Sequence, residues 1–275
     1  MSPKRLVVTA SLYALLIIGA ALTLLPLMWM VSASLMPTGE ATALPPRLLP
    51  SRVTFEHYGA LLSRLNLGRS LLNSALLASV VTLVALLLNS MAGYAFAKLH
   101  FAGRDRLFQT LLAALVIPGQ VAMLPLFLML KQLGVINTYW AVVIPGMASV
   151  FGIFLVRQYA ASIPDSLLDA ARVDGAGELR IYRSLVLYVC APILVTLALF
   201  TFMGTWNDFL WPLIVLTDDD MYTLPVALAN LAGEHVQDTE MMMAGAVLTV
   251  LPVLLLFVVL QRYYVAGILS GGVKE

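Results

Sequence analysis

Residues 164–184, PDSLLDAARVDGAGELRIYRS, form a charged segment in a chain that is 61% hydrophobic and only 11% charged. The segment carries four acidic residues and three arginines and lies between two long apolar runs. Soluble domains are about half apolar and about a quarter charged. The mean hydropathy of +0.93 therefore indicates a membrane protein, and the charged segment is a connection between membrane spans. The formal net charge of +1 gives no field that would attract nucleic acid.

Six runs on either side of this segment are long enough to cross a bilayer, which takes about 20 apolar helical residues. They contain no Lys, Arg, Asp or Glu: residues 6–39, 70–97, 107–130, 132–156, 184–207 and 241–261. We therefore predict an all-α membrane protein with six transmembrane helices. Its expected parts are an N-terminal helix with an outer loop (1–69), a transmembrane core (70–264) and a cytoplasmic tail (265–275).

Three details of these spans are open to test. The first run is far longer than the core of a secretory signal, so it is interpreted as a retained helix. Pro118, Gly119 and Pro125 in the third run are expected to kink the helix without ending it, because a bundle can satisfy the freed carbonyls. The fifth helix is expected to continue past Asp208 toward Trp211.

The basic residues predict the orientation in the membrane. With the N-terminus in the cytoplasm, eleven of the sixteen basic residues lie on the cytoplasmic side, as the positive-inside tendency requires. These are Lys4, Arg5, Lys98, Arg104, Arg106, Arg157, Arg172, Arg180, Arg183, Arg262 and Lys274. Both termini and the charged segment are then cytoplasmic, and the loop 218–240, which has no Lys or Arg, lies outside.

The charged segment is predicted to begin with a short amphipathic helix. Pro164 suits the first helical position, Asp165 suits the first turn, and Gly175 is a natural stop. An apolar face is formed at helical spacing by Leu167, Leu168, Ala171 and Gly175. A second helix over 178–189 leads back to the membrane.

Two surfaces could receive this short helix, lipid or another protein. Helices that lie on lipid are rich in Lys and Arg on their polar face. Residues 157–184 carry four arginines and four acids instead, which favours a protein partner.

The same residues resemble the cytoplasmic loop of binding-protein-dependent ABC importer permeases. That pattern is Glu-Ala-Ala, three residues, Gly, nine residues, then Ile-x-Leu-Pro. Asp169, Ala170, Ala171 and Gly175 fall in register, with Asp in place of Glu. Leu185 replaces Ile and Tyr188 replaces Pro, so the bend into span five would have to come from Pro192.

Further segments extend the resemblance over most of the chain. NSALLAS, AGYAFAKLHFAGR, GTWNDFLWPL and QRYYVAGILSGGVKE are similar to the carbohydrate and glycerol-phosphate importers of this superfamily, and most of all to the smaller permease subunit of maltose-type transporters. The resemblance implies a type I importer permease with a coupling helix between spans four and five. It also implies a second permease, two cytoplasmic ATPases and an extracytoplasmic solute-binding protein as partners, in the inner membrane.

Candidate site residues follow from the resemblance. The ATPase-coupling residues would be Leu168, Asp169, Ala170, Ala171, Asp174, Gly175 and Ala176. A glycine-rich tail with Ser270, Gly271 and Gly272 would reach between the ATPases. Asn207 and Asp208 are either polar contacts near the translocation path or a cap at the membrane interface.

Other residues point to no catalytic or metal centre. The chain has no Gly-Lys dipeptide and hence no P-loop, so ATP would be hydrolysed by another polypeptide. His57, His100 and His235 have no metal-ligand spacing and are expected to be solvated loop residues. Asn89 is expected to form a hydrogen bond between helices, and Cys190 to be an apolar packing residue. Neither an enzyme active site nor a cofactor is predicted.

The sequence leaves other functions open. Within the same class, glycerol phosphate is the alternative to a sugar or oligosaccharide as the solute. An ion-coupled secondary transporter would be expected to bury ionisable residues in mid-span, and this chain has almost none. A membrane enzyme would need a convergent polar constellation, and none is visible.

Overall fold

The computed structural model describes residues 3–45, 47–63, 66–234 and 238–272, and the regular elements in these ranges are helices. In chain order they are α1 Pro3–Ala33, α2 Glu56–Ser63, α3 Leu67–Lys98, α4 Arg104–Ala114, α5 Gly119–Gln132, α6 Trp140–Gly146, α7 Val150–Ala161, α8 Asp165–Val173, α9 Glu178–Val189, α10 Ala191–Trp206, α11 Leu210–Val215, α12 Leu224–Glu234 and α13 Thr239–Gly272. Helix α9 contains a π-helical turn at Tyr182–Val186.

Four helical segments in the described ranges are long and apolar enough to cross a membrane: Ser11–Ala33, Leu67–Lys98, Trp140–Ala161 and Thr239–Val259. Two more pairs pass the same test but are bent, α4 with α5 by 104° and α9 with α10 by 79°. The all-helical membrane fold expected from the sequence is confirmed. The count is six only if each bent pair is one span, so six spans stay a prediction.

The third run contains a real break, and the expectation of a simple kink at Pro118 was wrong. Helix α4 ends at Ala114, and α5 begins only at Gly119. Pro118 has ψ 133°, an extended conformation, and a proline also disfavours helical backbone in the residue before it. Pro125 lies inside α5 as expected.

Span five is also shorter than expected. Helix α10 ends at Trp206, Asn207 follows as its C-terminal cap, and a separate helix, α11, begins at Leu210. The expected continuation toward Trp211 was therefore wrong.

The chain divides into two compact units. One contains the N-terminal part up to Gly68 together with Leu228–Pro252, and the other contains Arg69–Ala227 and the chain from Val253 onward. In the first unit the ring of His57 is buried, with Nε2 2.9 Å from the carbonyl oxygen of Met36, so the expected solvated histidine was wrong there. Glu240 is fully buried and accepts a hydrogen bond from the Ala41 N–H at 2.7 Å. His100 is exposed, and His235 lies outside the described residues.

Close packing of α3 against α7 organises the second unit. A Cβ on Gly93 would lie 2.7 Å from the Cβ of Val156 and 3.0 Å from the Arg157 nitrogen, so only glycine allows this approach. Along the same contact, the buried Asn89 Oδ1 accepts a hydrogen bond from the Ser149 N–H at 3.0 Å. The expected interhelical role of Asn89 is confirmed. Cys190 is buried in an apolar cluster, as expected.

Candidate functional site

The charged segment folds as a short helix with a well-defined end. Helix α8 begins at Asp165 directly after Pro164 and ends at Val173. Gly175 has φ +80°, the left-handed conformation that favours glycine. The Gly175 N–H donates to the carbonyl of Arg172, and the Ala176 N–H donates to that of Ala171, which together form a Schellman motif. The predicted stop at Gly175 is confirmed.

The apolar face of α8 is turned partly toward the chain's own core. Leu168 is 1% exposed and belongs to a buried cluster of Tyr94, Ala160, Ile163, Leu168, Ile181, Tyr182, Val186 and Cys190. Ala171 and Ala176 are half-buried against the same cluster. Leu168 anchors the helix and has no surface left for a partner. Its predicted part in ATPase coupling stays a prediction.

Ionic contacts fix α8 to the end of α3. Lys98 donates to the carbonyl oxygen of Ile163 at 2.6 Å and to the Asp165 carboxylate at 2.7 Å. The hydrogen bond and charge of Lys98 lower the pKa of Asp165 below its ordinary value. The Lys98 side chain is only 7% exposed. Lys98 therefore holds the chain just before α8 as well as its first residue.

A second group of charges connects α8 to α9. Arg172 donates from Nε to Glu178 and from Nη1 to Asp169, both at 2.8 Å. These two carboxylates, Glu178 first, raise the pKa of Arg172 above its ordinary value. The Tyr94 hydroxyl donates to the other oxygen of Glu178 at 2.6 Å, so the pair also reaches α3. Three of the segment's four acids are thus engaged within the chain.

The remaining surface of α8 is exposed. It is formed by Leu167, Asp169, Ala170, Val173, Asp174 and Gly175. Val173 is 87% exposed, and an added Cβ on Gly175 would meet nothing within 4 Å. Val173 is not among the residues predicted from the sequence, although its place on the face away from Leu168 could have indicated it. This outward face has mixed apolar and acidic character and is the part of α8 available to another molecule.

The bend that leads from α9 into α10 is present without a proline at Tyr188. The two helices meet at Cys190 with a bend of 79°, and Pro192 lies in the first turn of α10. The bend therefore lies next to Pro192, as predicted from the sequence. Tyr188 itself is 82% exposed.

Asp208 lies in a cleft of about 400 Å³ in the second unit. The cleft is lined by Val81, Gly119, Gln120, Met123, Leu126, Val142, Pro145, Gly146, Gly204, Thr205, Asp208 and Trp211. Asp208 also accepts a hydrogen bond from the Trp211 N–H at 3.3 Å, which caps α11. Asn207 is exposed and donates to the Met203 carbonyl of its own helix.

The break in the third run explains why the sequence did not reveal the cleft as a group. The break brings Gly119 and Gln120 to the start of α5, where they line the cleft with Thr205 and Asp208. The tail proposed to contact an ATPase is only partly described. Ser270, Gly271 and Gly272 continue the helical backbone of α13, and residues 273–275 lie outside the described ranges.

Comparison with known proteins identifies the family. Residues 85–270 match the family described as binding-protein-dependent transport system inner membrane component. The chain belongs to this family. It is therefore a transporter permease, and the predicted family is confirmed.

Individual relatives agree over nearly the whole length. The arabinooligosaccharides transport system permease AraQ of Halalkalibacterium halodurans is 37% identical, covering 93% of this chain and 92% of that protein. The lactose transport system permease LacG of Rhizobium radiobacter is 33% identical, covering 95% of each. A solved chain from a bacterial ABC transporter that imports the acidic polysaccharide alginate has a TM-score of 0.84 at 25% identity, covering 96% of this chain and 99% of that one.

These comparisons place the permease in the class of ABC importers with the type I permease fold. As a member of an inner-membrane component family with several apolar helices, it is a multi-pass membrane protein. The importer systems of this class depend on a binding protein and on ATP. The ion-coupled carrier and the membrane enzyme are not supported.

Proposed function

We propose that this permease forms part of the translocation pathway for a sugar or oligosaccharide and is driven by separate ATPase subunits. The observation that carries the coupling part is the outward face of α8. Leu168 anchors the helix from inside, Lys98 and Arg172 hold its two ends, and Val173 and Gly175 remain exposed. A rigid short helix of this kind can transmit the motion of a docked partner to the spans on either side.

The proposed complex contains this chain, a second permease, two cytoplasmic ATPases and an extracytoplasmic solute-binding protein. The chain lacks a P-loop, so ATP would have to be bound by another subunit. The outward face of α8 would dock on one ATPase through Asp169, Ala170, Asp174 and Gly175, with Val173 added to the residues selected from the sequence.

The solute is inferred from the relatives and from the cleft. AraQ is named for arabinooligosaccharides and LacG for lactose. Among the residues that line the cleft, Asp208 has the only charged side chain, and Gln120 and Thr205 can exchange hydrogen bonds with hydroxyls. A lone carboxylate suits a neutral sugar better than glycerol phosphate, because like charges repel. Competition by unlabelled sugars and by glycerol phosphate against uptake would test this choice. Competition by glycerol phosphate, without competition by any sugar, would reject a sugar as the solute.

The proposed orientation places both termini and α8 in the cytoplasm. It is supported by the excess of basic residues on that side, eleven of sixteen. Single cysteines introduced at Asp219 and at Gly175, in a Cys190→Ala background, should react with an impermeant reagent from opposite sides of the membrane. Reaction of both from the same side would exclude this orientation.

The test of coupling is Gly175→Leu. Leucine in a left-handed conformation costs about 1–2 kcal/mol, and overpacking at an interface costs about 1–3 kcal/mol. Apart from the two chain neighbours of Gly175, no atom of the described residues lies within 4 Å of an added Cβ, so bulk would be penalised by a docked partner. ATPase binding should weaken by more than tenfold, as measured by co-purification of the ATPase with the permease from membranes.

Gly175→Ala is the matched control because it shares the backbone penalty and lacks the bulk. The alanine variant should retain the ATPase, and the leucine variant should insert correctly but lose the ATPase and transport. Full retention of the ATPase and normal uptake by Gly175→Leu would show that this face of α8 does not dock there.

The C-terminal tail is a second proposed ATPase contact. It rests on the similarity of Ser270, Gly271 and Gly272 to the tail of maltose-type permeases. Removal of residues 270–275 should lower ATPase coupling while the subunits still insert. Unchanged transport after the deletion would assign the tail no role.

A further inference from the structure

Helix α9 has one face in the core and one face exposed. The buried face contains Ile181, Tyr182 and Val186, which pack in the cluster that also holds Leu168. The opposite face consists of Leu179, Arg180, Arg183, Ser184 and Tyr188, all exposed. Its first four residues line an open cleft of about 550 Å³. Helix α9 is therefore amphipathic, and its outward side combines two arginines with a leucine and a tyrosine.

The two arginines have no partner in the described part of the chain. The guanidinium groups of Arg180 and Arg183 make no ion pair or hydrogen bond with the described residues. Three of the segment's four acids are already engaged, Asp165 with Lys98, and Asp169 and Glu178 with Arg172, while Asp174 is exposed at the end of α8. The equal numbers of arginines and acids in residues 157–184 therefore do not make each surface of the segment neutral. Pairing inside the segment leaves a basic outward face on α9.

The bend between α9 and α10 bears on how this face could meet the membrane. Helix α10 is an apolar helix of 16 residues, and α9 is bent from it by 79°. With α10 taken as the part that crosses the bilayer, a helix nearly perpendicular to it runs along the membrane surface. Tyr188, near the junction, is 82% exposed, and tyrosine favours the depth of the lipid headgroups.

We propose that the outward face of α9 binds the phosphate headgroup of an anionic phospholipid in the cytoplasmic leaflet. Arg180 and Arg183 would contact the phosphate, since guanidinium groups match phosphate oxygens in charge and geometry. Ser184 can donate a further hydrogen bond, and Leu179 and Tyr188 contact the acyl boundary. The choice of the cytoplasmic leaflet rests on the proposed orientation. The chemistry of phosphate binding does not depend on it.

Lipid is favoured over a second contact with an ATPase by the composition of this face. A basic amphipathic helix with exposed aromatic and aliphatic residues is typical of helices that lie at the membrane interface. The outward face of α8, in contrast, exposes Asp169 and Asp174 and would be repelled by anionic lipid. The two neighbouring helices are therefore suited to different partners, α8 to protein and α9 to lipid.

The test measures lipid binding by the assembled transporter. The full chain, co-expressed with its partner subunits and purified in neutral detergent, is titrated with phosphatidylglycerol or phosphatidylcholine, and bound lipid is counted by native mass spectrometry. The wild type is expected to prefer phosphatidylglycerol. Arg180→Gln with Arg183→Gln should weaken that binding roughly tenfold or more. Each arginine near an anionic surface contributes a similar favourable energy, and the double variant removes both contributions.

Two controls make the result specific. Arg180→Lys with Arg183→Lys keeps the charge and should keep most of the preference. Arg52→Gln with Arg106→Gln removes two exposed charges elsewhere and should leave binding unchanged. If the double glutamine variant does not assemble, each single variant is measured in its place.

Three results would overturn the proposal. They are unchanged phosphatidylglycerol binding in the glutamine variants, equal loss in the Arg52 and Arg106 control, or loss of the ATPase with lipid binding intact. The last result would assign this face to the ATPase. The experiment measures lipid binding and not ATPase coupling. Its result can therefore be interpreted even if the proposed coupling at Gly175 is wrong.

Discussion

The two ends of α3 are joined to the rest of the second unit by different chemistry. Near the Leu67 end, the amide of Asn73 donates to the carbonyls of Asp220 and Tyr222, both at 3.0 Å, and accepts from the Tyr139 hydroxyl at 2.7 Å. At the other end, Lys98 holds Asp165 through a charged contact. Asn73 is buried, whereas the Asp165 side chain is 77% exposed.

This difference bears on which end can rearrange. Hydrogen bonds of a buried amide cannot be replaced by water without opening the structure. Exposed ion pairs are screened by salt and contribute little to stability, so they rearrange at small cost. The pair of Lys98 with Asp165 can therefore rearrange at small cost, whereas α8 itself stays anchored by the buried Leu168. The Asn73 end holds the segment after α11 in one geometry.

The largest expected effect comes from disrupting the packing of α3 against α7, between Asn73 and Lys98. Gly93→Val places a side chain against Val156 and the backbone of Arg157, where an added Cβ already lies 2.7 and 3.0 Å away. Overpacking of this kind costs about 1–3 kcal/mol, and the backbone contact puts the change at the upper end. Thermal unfolding of the purified permease should shift to a clearly lower temperature.

Gly19→Val is the control for Gly93→Val. It makes the same substitution within α1, where an added Cβ meets nothing within 4 Å. Equal destabilisation by the two variants would show that valine in a helix, and not the contact between α3 and α7, causes the loss.

Asn73→Ala should have the next largest effect, confined to the first end of α3. It removes the donor to two carbonyls and the acceptor for the Tyr139 hydroxyl, and the loss of these part-buried hydrogen bonds should cost about 1–3 kcal/mol. Hydrogen exchange should rise at residues 217–223 and stay unchanged at 165–173. Asn207→Ala removes a single exposed hydrogen bond to Met203 and should alter neither region. A rise at both ends in Asn73→Ala would contradict the independence of the two ends.

Asp165→Asn should have the smallest effect, and one that depends on pH and salt. Lys98 lowers the pKa of the Asp165 carboxyl below its ordinary 3.8, so the pair contributes above that value and the contribution is lost as pH falls through the lower, folded value. At pH 7 and low salt, hydrogen exchange at 165–173 should be faster in the variant than in the wild type. High salt or strong acid should remove the difference. A difference that persists in both would mean that charge is not the cause.

Local pattern was sufficient to predict α8. Asp165, Gly175 and the spacing of small and apolar residues determine where the helix begins and ends, because capping depends on neighbours in the chain. The burial of Leu168 could not be read in the same way. Leu167 and Leu168 are both leucines on one side of the helix, and only packing against Ile163 and Ile181 decides that Leu168 is inside.

The length of the apolar runs by itself determined that the protein is a helical membrane protein. The order of the motifs placed it in its family. Both features can be read along the sequence without knowing which residues meet in space. The tertiary structure alone decided where the apolar runs break, as at Pro118 and Cys190. It also decided which charges cancel. Arg172 is held by Asp169 and Glu178, and Arg180 is left exposed, although all lie within one balanced segment. An ion pair requires two side chains within about 4 Å, and that distance is set by the fold.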